Sequence, residues 1–130
     1  MEKPIQLAML IDDSDIDNML HTRTLKKSGL VEHVIAFEYA EEALKFLSKG
    51  EHGVDVIFLD INMPRMDGFE FLAAYSELKN QQATTIVTML STSSNPTDED
   101  RAKSFSSVAM YHAKPLTTEA VQMVVDEHFS

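Results

Sequence analysis

The chain has 130 residues, 44% of them apolar, which suits one globular domain with a core of its own. It contains no cysteine, so a disulfide framework, thiol catalysis and thiolate-bound zinc are excluded. With 21 acidic against 11 basic residues the net charge is −10, which opposes direct nucleic-acid binding. No apolar run reaches membrane-spanning length and no signal-peptide pattern follows Met1, so a cytoplasmic protein without membrane contact is expected.

In chain order, strand and helix signals alternate. Leu7–Ile11 is an apolar run that ends in Asp12-Asp13. Ser14, with an acid three residues on at Asp17, starts a helix that should run to Ser28, and Gly29 can take the left-handed stop. Glu32–Phe37 is a second strand. Ala40, Ala43, Leu44 and Leu47 form one helical face, closed by Gly50. Val54–Leu59 is continuously apolar apart from Asp55, as a strand buried on both faces should be, and it drives into Asp60. The loop Ile61–Gly68 follows, and a third helix from about Phe69 should bury Phe71, Leu72 and Tyr75.

Ile86–Leu90 is the fourth strand and ends in the hydroxyl of Ser91. Asn95-Pro96-Thr97-Asp98 opens a fourth helix, with a cap, a proline in the first turn and an acid near the positive end of the dipole. Up to Ser107 it offers only Ala102 and Phe105 as apolar anchors, so it should be the least firmly docked helix. Val108–Ala113 is the fifth strand and ends in Lys114-Pro115. Thr117 caps the last helix, with Leu116 and Val121 as a hydrophobic staple and Ala120, Val121, Val124 and Val125 as its buried face.

Strict β-α alternation predicts a parallel sheet with helices on both faces and right-handed crossovers. Ligands of such sheets bind at the carboxyl ends of the strands, where Asp12, Asp13, Asp60, Ser91 and Lys114 all fall. Carboxylates crowded within several ångströms repel by roughly 1 to 4 kcal/mol per pair, depending on the local dielectric. A hard divalent cation relieves that repulsion, and Mg²⁺ suits a site with two or three carboxylates, waters and phosphate oxygens. Any one of these acids alone would be an ordinary turn or cap residue.

In combination, Asp12-Asp13, Asp60 with Met63-Pro64 and Asp67-Gly68, Ser91, and Lys114-Pro115 resemble the receiver domain of two-component response regulators, the CheY-like family, over nearly the whole chain. The resemblance implies a three-layer (βα)5 flavodoxin-like α/β fold with strand order 2-1-3-4-5. It implies one receiver domain over residues 1–130, with no output domain. It makes Asp60 the phosphoacceptor, with Asp13, Asp60 and the Asn62 backbone carbonyl as ligands of Mg²⁺ or Mn²⁺ and Asp12 acting through water. Ser91, Lys114 and Thr92 would contact the phosphoryl group, Ser91 and Tyr111 would form the switch, and Pro64, Gly68 and Pro115 would shape the loops, with Pro115 after a cis peptide bond.

Ser91 stands where the family more often has threonine, and Thr92 where many members have the smaller alanine. Asn62 and Ser93 occupy the positions that tune dephosphorylation, and Ser93 brings no charge or amide to orient a water, which favours a long-lived phosphoryl state. The implied function is a phosphorylation-activated switch, not a turnover enzyme. Its donor would be a sensor histidine kinase or a histidine phosphotransfer protein. Downstream partners, or a second copy of the chain, would bind the face formed by the fourth helix, fifth strand and fifth helix.

Two alternatives stand beside this. An Mg²⁺-dependent phosphohydrolase of the haloacid dehalogenase type would use an Asp nucleophile, but places a second acid where this chain has Asn62. A pseudo-receiver would bind partners without phosphorylation, but such chains commonly lose an acid or the lysine. The five histidines, His21, His33, His52, His112 and His128, form no metal-binding pattern, and the eight methionines are read as core filler.

Overall fold

The computed structural model describes residues 3–49, 52–78, 85–92 and 96–129. Five strands, β1 (Ile5–Ile11), β2 (Val31–Phe37), β3 (Val56–Asp60), β4 (Ile86–Ser91) and β5 (Val108–Ala113), alternate with five helices. These are α1 (Asp15–Lys27), α2 (Ala40–Leu47), α3 (Gly68–Ser76), α4 (Pro96–Lys103) and α5 (Thr118–His128). The strands form one parallel sheet in the order β2-β1-β3-β4-β5, as expected for a flavodoxin-like fold.

Each face of the sheet buries its own apolar cluster, which gives the three layers. Met9, Ile57, Leu59, Val87 and Met89 pack with residues of α2, α3 and α4 on one side. Ala8, Leu10, Phe58 and Leu90 pack with Leu25 of α1 and Val121, Val124 and Val125 of α5 on the other. Every residue of β3 is buried, which explains why its sequence is continuously apolar until Asp60.

Local caps hold the helix starts. Ser14 accepts a hydrogen bond from the Asp17 amide, Thr117 accepts from the Ala120 amide, and Asp67 and Glu70 form a reciprocal capping box. Leu116 and Val121 are both buried in the second cluster, as a staple requires. Helix α1 stops at Lys27 with Ser28 as its C-cap, one residue earlier than expected, and Gly29 takes φ +74°. Gly50 and Asn95, expected as a helix stop and a helix cap, lie outside the described residues, as does Ser93.

Two further sequence expectations change. Helix α4 ends at Lys103 rather than continuing to Ser107, and the chain turns there, the Ser104 and Phe105 amides donating to the carbonyls of Arg101 and Ala102. Serines at 104, 106 and 107 favour such a turn because their hydroxyls compete for backbone groups, and Ser104 Oγ donates to the Arg101 carbonyl. Not all the methionines fill the core: Met9, Met63 and Met89 are buried, whereas Met19 and Met123 stand at the surface. Helix α1 buries a largely polar face, which no sequence expectation covered. Asn18, His21 and Leu25 point inward, while Ile16, Met19 and Leu20 are exposed, Ile16 at 61%.

Candidate functional site

The carboxyl end of the sheet brings together the residues that lie at the strand ends. Asp12 follows β1, Asp60 ends β3, Ser91 ends β4 and Lys114 follows β5. Asp12, Asp60 and Ser91 are buried and Asp13 is exposed at the rim. One carboxylate oxygen from each of Asp12, Asp13 and Asp60 lies within 4.8 Å of the others, and this is the one such acidic or histidine cluster among the described residues. An oxygen-only donor set at that spacing fits a hard divalent cation.

Lys114 is the counter-charge. Its ammonium donates to Asp12 Oδ2 at 2.6 Å and to Asp17 Oδ2 at 3.0 Å, and it lies 3.2 Å from Asp60 Oδ1. The lysine backbone is fixed too, since its amide donates to the Ser91 carbonyl at 2.8 Å, and the Lys114–Pro115 peptide bond is cis. Burial on its own would lower the Lys114 pKa, but the hydrogen bonds to Asp12 and Asp17 and the charges of Asp60 and Asp12 outweigh it and leave it raised.

The Asp60 pKa is raised too, but here it is the charged form that is disfavoured. Burial, then the neighbouring Asp12 charge, raises its pKa to about 6, although Lys114 opposes both effects. A carboxylate with that pKa is ionised at pH 7 but poorly compensated, which is the state that a cation or an added group can relieve.

The surrounding loops are built tightly. Asp12 Oδ1 accepts from the Ser14 amide at 2.9 Å, and Asn18 Nδ2 donates to the Asp12 carbonyl at 2.9 Å, so the start of α1 holds the first acid in place. After Asp60, Arg65 takes φ +68°, and its side chain pairs with Glu41 at 3.0 Å and covers the Tyr39 ring. Pro64 accepts from the Met66 amide at 2.7 Å, and the Gly68 amide donates to the Ile61 carbonyl at 2.7 Å. A Cβ at Gly68 would lie 2.7 Å from the Asp60 carbonyl oxygen, so glycine is what allows α3 to start against this strand end.

Asn62 and Thr92 are exposed at the mouth of the site. Tyr111 is half-buried against the first apolar cluster, and its hydroxyl is buried with no hydrogen-bond partner among the described residues. His112 alternates to the other face of β5, as strand periodicity requires. His21 is buried in α1; burial, then the Lys114 charge, lowers its pKa, so it is neutral at pH 7. One contact had no signal in the sequence. Asp17 reads locally as a first-turn helix acid, yet it pairs with a lysine 97 positions away.

A family model, the response regulator receiver domain, matches residues 8–126. The chain belongs to this family. The receiver is similar to a two-component response regulator from Cytophaga hutchinsonii, with a TM-score of 0.88 at 30% identity and 97% of each chain covered. It is also similar to the chemotaxis response regulator CheY4 of Vibrio cholerae, with a TM-score of 0.76 at 28% identity over 95% of this chain and 98% of that one. Among curated relatives it is 29% identical over 123 residues to the sensor histidine kinase CheAY of Helicobacter pylori, covering 92% of this chain and 14% of the kinase. It is 33% identical over 89 residues to the rice response regulator ORR1, covering 64% of this chain and 38% of the regulator. The receiver therefore spans well under half the length of these two relatives. It is a domain of the phosphorylation-activated signalling switches of two-component systems, and among its described residues no helix is long and apolar enough to cross a membrane.

Proposed function

We propose that this receiver accepts a phosphoryl group on Asp60 from a phosphohistidine of a sensor kinase or a histidine phosphotransfer protein. The observation that carries the reading is the position of Asp60: buried at the end of the central strand, 3.2 Å from Lys114, in a cluster with Asp12 and Asp13. The partner's phosphorus–nitrogen bond breaks as an Asp60 carboxylate oxygen bonds to phosphorus, the bonding pair stays on that nitrogen, and the imidazole departs neutral when its other ring nitrogen carries a proton. Asp60 is ionised at pH 7 and so offers a lone pair without a separate base.

Asp13, Asp60 and the Asn62 backbone carbonyl would hold Mg²⁺ or Mn²⁺, with Asp12 acting through water. When bound, the cation supplies charge neutralisation for the phosphoryl oxygens. Lys114 would pair with the phosphoryl group, and Ser91 and Thr92 would offer hydroxyls to its oxygens. Pro64, Gly68 and Pro115 shape the loops that hold these groups. The exposed apolar residues Ile16, Met19 and Leu20 on α1, beside the acidic rim, support approach of the donor from that side.

The output is carried by Ser91, Tyr111 and α4. Only Ala102 of α4 is buried, so little apolar surface holds that helix against the sheet. Movement of Ser91 toward the phosphoryl group would pull the connection to α4. Tyr111 already packs inward, so it would secure the new arrangement and the α4–β5–α5 face would change for downstream partners or a second copy. A shift from 1:99 to 99:1 needs about 5.5 kcal/mol of differential stabilisation. Charge-assisted hydrogen bonds at roughly 1.5 to 3 kcal/mol each supply much of it. The protein is a switch that assists its own phosphorylation and hydrolysis, not a turnover enzyme, and acts in the cytoplasm.

Incubation with acetyl phosphate and Mg²⁺ tests the acceptor: one hydroxylamine-labile phosphoryl group is expected per chain. Equal labelling of Asp60→Asn would reject the assignment.

A further inference from the structure

The charge arrangement at Lys114 contains one acid more than a cation site needs. An ammonium has three N–H donors. Three carboxylates face this one, Asp12 at 2.6 Å, Asp17 at 3.0 Å and Asp60 at 3.2 Å. The N–H that faces Asp60 can turn to an oxygen of a phosphoryl group carried there, but for Lys114 to make a second hydrogen bond to that group, Asp12 or Asp17 has to give way.

The three are not equally easy to release. The side chain of Asp12 is buried and its other oxygen is held by the Ser14 amide, and Asp60 itself carries the incoming group. Asp17 is 36% exposed, so water solvates its carboxylate as soon as the lysine leaves. It also lies outside the cluster of Asp12, Asp13 and Asp60, so a cation bound there would not take Lys114's place as its partner.

We propose that Asp17 is a positioning residue for phosphoryl capture, holding Lys114 in the unphosphorylated protein and surrendering it to the phosphoryl group. The inference rests on Asp60 being the acceptor. No bond is made or broken in the exchange: one ammonium N–H turns from an Asp17 oxygen to a phosphoryl oxygen, and water hydrates the vacated carboxylate. Asp17 is then a competitor, and it lowers the site's affinity for a phosphoryl group. Its other role, a first-turn acid favoured by the α1 dipole, gives no gain in binding when the charge is removed.

The test is a titration of the full chain with beryllofluoride in excess Mg²⁺. Asp17→Asn should bind about threefold more tightly than the unsubstituted protein, the scale of a partly exposed ion pair. Lys114→Met keeps the stem and removes the ammonium, and in that background Asp17→Asn should bring no gain. A second readout needs no lysine variant: the Lys114 side-chain amine NMR signal should shift less on beryllofluoride addition in Asp17→Asn, because one partner has already gone. Unchanged or weaker binding by Asp17→Asn, a full gain without the lysine, or equal NMR shifts would overturn the proposal. If the unsubstituted protein binds no more tightly than Asp60→Asn, the acceptor assignment fails and the proposal falls with it. If it does bind, and only the Asp17→Asn gain is missing, the acceptor stands and the competitor role falls.

Discussion

Gly68 presses its backbone against Asp60 so closely that a Cβ would stand 2.7 Å from the Asp60 carbonyl oxygen and 2.9 Å from the Ile61 Cα. Both obstacles are backbone atoms, so neither can step aside by changing a rotamer. Gly68→Ala should therefore cost about 1 to 3 kcal/mol of stability, the usual scale of overpacking. Part of the strain should reach Asp60 and slow its labelling by acetyl phosphate. Urea unfolding and labelling measured on the same preparation check both effects, and an alanine variant of unchanged stability would mean that α3 shifts freely.

The raised pKa of Asp60 makes stability depend on pH. Its folded value of about 6 lies above the ordinary aspartate value, so its protonated form is favoured by the fold. That contribution is fully present below about pH 4 and is lost as pH rises through about 6. At pH 7.5 without a divalent cation, the ionised Asp60 costs the fold about 3 kcal/mol, taking roughly 1.4 kcal/mol per pKa unit. Asp60→Asn, which is neutral and similar in shape, should be more stable than the unsubstituted protein at pH 7.5, and the advantage should shrink toward pH 4. Thermal unfolding across that range would contradict the account if the gap stayed constant or widened in acid.

Mg²⁺ should stabilise the native state because the three acids converge only there. At a hundredfold excess over Kd, binding contributes about 2.7 kcal/mol. For a domain of this size that corresponds to a rise in Tm of roughly 10 °C. Asp13→Ala should lose the rise, and lowering the pH through 6 should weaken it, since protons then compete at Asp60. A full rise in Asp13→Ala would place the cation elsewhere.

Tyr111 buries its hydroxyl without a hydrogen-bond partner among the described residues. Tyr111→Phe removes that orphaned group and keeps the ring, so stability should hold or increase by about 1 kcal/mol. A loss of that size, measured by urea unfolding, would show that the hydroxyl has a partner in solution.

The strand ends were legible because their signals are local. A β3 buried on both faces must be continuously apolar, so Asp60 marks its end without any knowledge of the neighbours. The caps at Ser14 and Thr117 depend on amides three residues away, and the left-handed stop at Gly29 on a single residue. Strict β-α alternation implied a parallel sheet with Asp12, Asp60, Ser91 and Lys114 at one end of it, and the strand order was implied by the family resemblance those ends support.

Only the tertiary structure decided how α1 is rotated and what Lys114 touches. Composition argues for burying Ile16, Met19 and Leu20, yet Asn18 and His21 are buried instead. The Ser14 cap and the hydrogen bond from Asn18 Nδ2 to the Asp12 carbonyl fix the start of the helix and with it the rotation of a helix whose apolar pattern is weak. The same rotation delivers Asp17 to Lys114 across 97 positions of sequence. No periodicity encodes that ion pair, because its geometry arises only when the start of α1 and the end of β5 meet on one edge of a folded sheet.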